Sequence, residues 1–140
     1  MKILISACLL GQNCKYNGFH NKNDALIRWL ADNGHEAVPI CPEIFGGLAS
    51  PRTPCEIVDG TVMNRDGENV DFEFRRGAEI ALKTALNEGV TLAILQPRSP
   101  SCGKGIIYDG SFSGRKKEGN GVFAELLTNH GIDIVNFGEL

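Results

Sequence analysis

The 140-residue chain lacks several features that would settle its class at once. It has no excess of basic charge: 14 Lys and Arg stand against 17 Asp and Glu, for a net charge of -3. That balance argues against the basic footprint of a general nucleic-acid binder, while leaving room for a local positive patch around one small ligand. No apolar run approaches the length of about 20 residues that a membrane helix needs. There is no Cys-x-x-Cys pair, so the short paired spacing of a closed structural zinc site is missing. His20, His35 and His130 are scattered, with no i,i+4 pair and no His-Glu-x-x-His, which excludes the usual histidine metal motifs. No Gly-x-Gly-x-x-Gly or Walker-type loop follows a strand, so neither a dinucleotide nor ATP is implied. An even cysteine count is lacking too. Five cysteines and no export signal make a disulfide framework a poor expectation, and metal or redox chemistry a better one. The opening "MKILISAC" is too short for a lipoprotein signal and reads as a first strand, so a cytoplasmic protein is expected.

What is present is ordinary globular material, 42% hydrophobic and 22% charged, in an amount suited to one domain over residues 1–140. "KILISACLL" (2–10) is a nearly continuous apolar run, as in a strand covered on both faces. "NDALIRWLADNG" has helical spacing, with Asn23 as N-cap and Gly34 as terminator. "EAVPIC" (36–41) reads as a second strand, placed at an edge or bent by Pro39. A helix over about 71–88 would bury Phe74, Ala78, Ala81, Leu82 and Ala85. It leads into the strand "VTLAILQ" (90–96). A last helix over roughly 120–130 precedes the strand "IDIVNF" (132–137), and residues 57–70 look like a hairpin or flap with turns at Asp59-Gly60 and Asp66-Gly67. Alternating strands and helices predict an α/β fold: a small doubly wound, mainly parallel, Rossmann-like sheet with helices on both faces.

In such sheets ligands bind beyond the carboxyl ends of the strands. Cys8 lies near the end of the first strand, Cys41 ends the second, and Cys102 follows the third. Free Cys commonly packs as a small hydrophobe, and Cys8 within "SACLL" is open to that reading. Cys41 in "ICPE" and Cys102 in "PSCGKG" have polar, Pro and Gly neighbours instead. Three thiolates with an open fourth position make a catalytic arrangement. It suits either zinc with a bound water or an iron–sulfur cluster with one uncommitted iron, and spacing does not choose between them.

Three segments, "SACLLGQNCKYNG" (6–18), "CPEIFGGLASPRTPCE" (41–56) and "RSPSCGKG" (98–105), occur in this order. Together they resemble the 2-thiouracil desulfurase family over essentially the whole chain. The resemblance implies a 4Fe-4S cluster held by Cys8, Cys41 and Cys102, with the fourth iron open to sulfur. The implied reaction replaces the sulfur of a thiolated pyrimidine with oxygen, giving uracil and sulfide. A soft thiocarbonyl sulfur suits an open iron acting as Lewis acid.

Within that frame Glu43, two residues beyond Cys41, is the candidate acid/base, set against an ordinary exposed carboxylate at a turn. Ser99 and Ser101 flank Cys102, and the resemblance favours Ser99 for proton transfer or substrate orientation. Both are also common loop residues. Gly46, Gly47, Gly103 and Gly105 allow close backbone approach to cluster or substrate, or simply mark turns. Arg52 and Lys104 would offset thiolate charge, and Tyr16 would stack on a pyrimidine face. Cys14 and Cys55 have no place as ligands and could pair on oxidation. The expected partner is a small thiolated nucleobase, with no membrane, nucleic acid or protein partner. The alternatives are a zinc hydrolase using the same cysteines and Glu43, and a metal- or redox-sensing or sulfide-carrying protein without turnover.

Overall fold

The computed structural model describes residues 1–139. Along the chain run β1 (Lys2–Ser6), a 3-10 helix (Ala7–Leu10), α1 (Asp24–Asp32), β2 (Glu36–Ile40) and α2 (Pro42–Phe45). They are followed by β3 (Cys55–Val58), β4 (Thr61–Asn64), α3 (Asp71–Asn87) and β5 (Leu92–Ile94). Then come β6 (Ile106–Tyr108), β7 (Lys116–Glu118), α4 (Val122–Asn129), β8 (Asp133–Val135) and a final 3-10 turn (Phe137–Glu139). The four central strands pair in parallel in the order β2-β1-β5-β8.

The alternation along β1 assigns the helices to the two faces. Ile3 and Ile5 pack with Leu26 and Leu30 of α1 on one side. Leu4 points the other way, into Phe74, Ala78 and Ala81 of α3 and Phe123 and Leu127 of α4. Phe74 and Phe123 are wholly buried, and such burial contributes roughly 1.5–3 kcal/mol per large apolar side chain. Asn23 caps α1 as expected: its side-chain oxygen accepts from the Leu26 amide at 3.0 Å, worth about 1 kcal/mol. Pro39 is accommodated because β2 is an edge strand. The doubly wound α/β fold is as read from the sequence.

Three local features differ from the sequence reading. The first strand stops at Ser6, where its ladder with Ile40 ends, and the chain turns into a 3-10 helix. The Cys8 and Leu9 carbonyls there accept from the Asn21 and Asn23 amides instead of continuing the sheet. The segment 106–118 forms a hairpin, β6–β7, that the sequence did not announce, because β7 is fully exposed and carries no alternation. The four-residue α2 is likewise too short for periodicity to register. The flap over 57–70 is a hairpin, β3–β4, turning at Asp59 and Gly60 with φ of 50° and 81°, the positive pair that a tight two-residue turn requires.

The short helix α2 is seated by two glycines. A Cβ on Gly77 would lie 1.7 Å from the Pro42 carbonyl oxygen, and one on Gly46 would lie 1.9 Å from the Glu73 carbonyl oxygen. Glycine at both positions lets α2 lie directly on α3, and Arg76 Nη2 donates to the Gly46 carbonyl to hold it there. This packing fixes the start of α2, where Cys41 and Glu43 sit.

Candidate active site

From β1 the chain winds one way through α1 to β2 and the other way through α3 to β5. The strand order therefore reverses beside β1. The crevice past the carboxyl ends at such a switch point is the usual ligand site of an open α/β sheet. A cavity of about 470 Å³ opens there, within the size range of small-molecule sites. The loops following β1, β2 and β5 all contribute to its wall. Ser6 ties two of them together by accepting from the Gln96 amide at 2.8 Å.

All five cysteines line this cavity, and each is a free thiol. Cys8, in the 3-10 helix after β1, is 7% exposed and donates to Gln96 Oε1 at 3.9 Å. Cys41 occupies the N-cap position of α2, where Pro42 starts the helix, and its thiol reaches the Cys14 carbonyl at 3.8 Å. Cys102 is 5% exposed on the loop after β5; its amide donates to Ser99 Oγ at 2.7 Å, closing the loop around the sulfur. Burial pushes the Cys102 thiol up to about 12, opposed by its contacts with Ser6 and Ser101. The hydrogen bond with Cys14, and then burial, raise Cys41 well above the ordinary thiol value. Cys14 feels a lowering contact with Cys41, but its contact with Cys8 and its burial prevail and place it at about 11. Without a cation Cys14, Cys41 and Cys102 stay protonated at neutral pH, and a metal group binding to a thiol would displace its proton.

Beside the thiols runs a chain of polar side chains. Arg52 donates from Nε (3.1 Å) and Nη2 (2.9 Å) to the same oxygen of Glu43, Oε1, while its Nη1 donates to the Ala49 carbonyl at 3.0 Å. The two side chains of this ion pair are only 9% and 13% exposed. The other carboxylate oxygen, Oε2, accepts from Ser101 Oγ at 2.7 Å. Ser101 Oγ in turn lies 3.2 Å from Ser99 Oγ. The direction of this chain is determined: an ionised carboxylate only accepts, so the Ser101 proton points to Glu43. With the Ser101 proton committed to Glu43, Ser99 is the donor in the contact between the two hydroxyls.

A family model for 2-thiouracil desulfurase matches residues 3–138. The chain belongs to the 2-thiouracil desulfurase family. Among relatives of this desulfurase is the uncharacterized protein YbbK of Bacillus subtilis (strain 168), 40% identical, with 99% of this chain and 97% of YbbK covered. The structure of 4Fe-4S-dependent thiouracil desulfidase TudS superposes with a TM-score of 0.91 at 41% identity, covering 99% of this chain and 92% of TudS.

The donor set of this desulfurase fits an iron–sulfur cluster. Soft sulfur donors from three separate loops line one cavity, and a cluster would take each of them on a separate iron. Among the described residues, no three Cys, His, Asp or Glu side chains close on one point where a single ion would sit. The likeness to TudS, a 4Fe-4S-dependent enzyme, supports a cluster, and the zinc alternative is not supported.

The desulfurase fold brings Cys8, Cys41, Cys102, Glu43, Ser99, Ser101, Arg52 and Tyr16 to one cavity. It does not bring Gly46, Gly47 or Gly103 there. Gly46 packs on α3, a Cβ on Gly47 would meet Arg76 Nη2 at 2.7 Å, and one on Gly103 would meet the Ser99 carbonyl oxygen at 2.7 Å. Lys104 points instead to Thr128, donating to its hydroxyl at 3.1 Å. Arg52, expected to face substrate or thiolates, is bound to Glu43. The sequence reading passed over Glu56, Arg65, Gln96, Arg98, Tyr108 and Phe112, which also line the cavity. The alternation of β3 gave a weak signal for Glu56; the others lie on irregular segments or on the hairpin that the sequence did not announce.

Proposed function

We propose that this protein replaces the sulfur of a thiolated pyrimidine such as 2-thiouracil with oxygen from water, releasing sulfide. The reading rests on one observation above the others. Three thiols suited to a cluster share a cavity with a carboxylate that is held on one oxygen and directed by a serine on the other. Cys8, Cys41 and Cys102 would hold the 4Fe-4S cluster. When bound, it supplies an open iron, a soft Lewis acid for the substrate sulfur.

The reaction is a hydrolysis: the C=S bond is broken, a C=O bond forms, and the two protons of water leave with the sulfide. No electron donor is needed. Glu43 is the proton acceptor, through Oε2, for a water approaching the pyrimidine carbon. Arg52 fixes Oε1, so Oε2 is the oxygen free to work. Ser101 orients that oxygen and, with Ser99, offers a hydroxyl path for returning the proton to the product side. Tyr16, 46% exposed, lines the same cavity and offers a ring to a base.

In this reading residues 1–140 act as one desulfurase domain on a free small molecule rather than on nucleic acid. A reducing cytoplasm keeps its thiols unpaired. The acidic net charge of -3 supports that choice. The test is anaerobic reconstitution followed by assay of iron, acid-labile sulfide and 2-thiouracil turnover. Cluster formation with uracil and sulfide released in equal amounts is expected. A fully loaded protein that leaves every thiolated pyrimidine intact would overturn the proposal in favour of a sensor or carrier.

A further inference from the structure

The loop between β6 and β7 holds an aromatic side chain that folding does not explain. Phe112 lies in "DGSFSG", among Gly, Ser and Asp, where a turn needs no large apolar residue. Among the described residues two groups of hydrophobic side chains form the core, and Phe112 joins neither. It is nevertheless half-buried, and it lines the active-site cavity.

Its backbone is held in an unfavourable conformation. Phe112 has φ of 56°, a region that bulky L-residues rarely enter. Such a conformation persists where surrounding contacts enforce it. Here the enforcing group is Glu56 of β3: Oε1 accepts from the Gly110 amide at 2.9 Å and from the Phe112 amide at 3.2 Å. Gly110 has φ of 93°, and a Cβ there would lie 2.6 Å from the Ile57 carbonyl oxygen, so the loop lies directly on β3. Glu56 itself lines the cavity. The hairpin β6–β7 is thus fastened to the β3–β4 hairpin by one carboxylate, with the Phe112 ring at the cavity wall.

We infer that Phe112 is the stacking platform for the pyrimidine ring and that Glu56 is its positioning residue. The inference rests on the desulfurase reading and adds to it the group that selects a flat, π-rich ring. Aromatic faces bind bases with little dependence on their edge substituents, because every base presents a π-face. The polar chain at Glu43 and the cysteine site can then act on the ring substituents while Phe112 holds the plane. Tyr16, which also lines the cavity, is more exposed, at 46%, and does not hold a positive φ.

The experiment compares reconstituted wild type with Phe112→Leu, Phe112→Tyr, Glu56→Ala and Glu56→Gln in 2-thiouracil turnover. Uracil binding is measured alongside by calorimetry, and iron and labile sulfide are assayed in every variant. Phe112→Leu keeps apolar bulk but lacks a π-face, and should raise KM and the uracil Kd about tenfold, with kcat changed much less. Phe112→Tyr should restore both to near wild type. Glu56→Ala should resemble Phe112→Leu, whereas Glu56→Gln, which keeps a carbonyl acceptor for the two amides, should not. An unchanged KM and Kd in Phe112→Leu, or equal loss in Phe112→Leu and Phe112→Tyr, would overturn the stacking role while leaving the desulfurase reading intact. Loaded wild-type protein that neither binds uracil nor turns over thiouracil would overturn both.

Discussion

Ser101 Oγ donates to Glu43 Oε2 across 2.7 Å, joining the loop after β5 to the first turn of α2. The two residues are 58 positions apart in sequence, and each lies within two positions of a proposed cluster ligand. A single contact therefore couples the proton-handling group to two of the three loops that carry the thiols. Removing the acid/base group should leave the cluster in place. Glu43→Gln is expected to retain iron and labile sulfide while kcat falls about 100-fold or more, the range for loss of a general base. Ser101→Ala should fall less, since the Oε2 acceptor remains but loses the hydroxyl that orients it. Full activity in Glu43→Gln would remove Glu43 from the mechanism.

Arg52 is expected to matter by geometry as well as by charge. A lysine at this position brings one ammonium in place of a planar fork, so it cannot hold Oε1 from two nitrogens while also reaching the Ala49 carbonyl. Arg52→Lys should therefore lower kcat with little change in KM. Arg52→Met leaves a largely buried carboxylate without its cation and should destabilise the fold by about 3 kcal/mol or more. Adding Glu43→Gln to Arg52→Met should recover part of that loss. Chemical denaturation of the four proteins in the cycle checks this; additive effects would mean that the pair is not coupled.

Much of this site could be read before the structure because the α/β alternation says where strand ends converge. Cys8, Cys41 and Cys102 are far apart in sequence, and only the rule that ligands sit beyond parallel strand ends brings them together. Glu43 followed from Cys41 by proximity. Arg52 lines the cavity as expected, but its ion pair with Glu43 was not foreseen, because it depends on how the irregular segment 46–54 folds back, which periodicity does not encode. Gly46 was read as facing the site, yet its missing side chain serves helix packing, and sequence alone does not separate these two uses of glycine. Phe112 was invisible because its role depends on a hairpin with an exposed, patternless strand and on one carboxylate from another hairpin.

The ligand set can be separated from its fourth neighbour. Cys14 shares the cavity with Cys8 and Cys41 and interacts with both, so position alone does not mark it as different. The proposed cluster falls to Cys8, Cys41 and Cys102, each past a strand end, and leaves Cys14 aside. Cys14→Ala should reconstitute with the wild-type content of iron and labile sulfide, while Ala at any of the other three should lose most of both. Loss of cluster in Cys14→Ala would make it a fourth ligand and close the site to substrate sulfur.

Cys55 gives a pH dependence outside the proposed ligand set. Burial, and then the Glu43 charge, push its thiol up from 9.0 to about 12, with Arg52 opposing. Below pH 9 the thiol is protonated in both folded and unfolded chains, so its contribution to stability is fully present. Between about 9 and 12 the unfolded chain gives up this proton while the folded one keeps it, so stability falls as pH rises. Cys55→Ala should therefore have a shallower decline in denaturation midpoint over that window than the otherwise identical cluster-free parent. The two should run parallel below pH 9. The same protonation should make Cys55 slow to alkylate at neutral pH, because the thiolate is the nucleophile. Parallel curves across the whole range, together with rapid alkylation at pH 7, would show that Cys55 ionises as an ordinary exposed thiol.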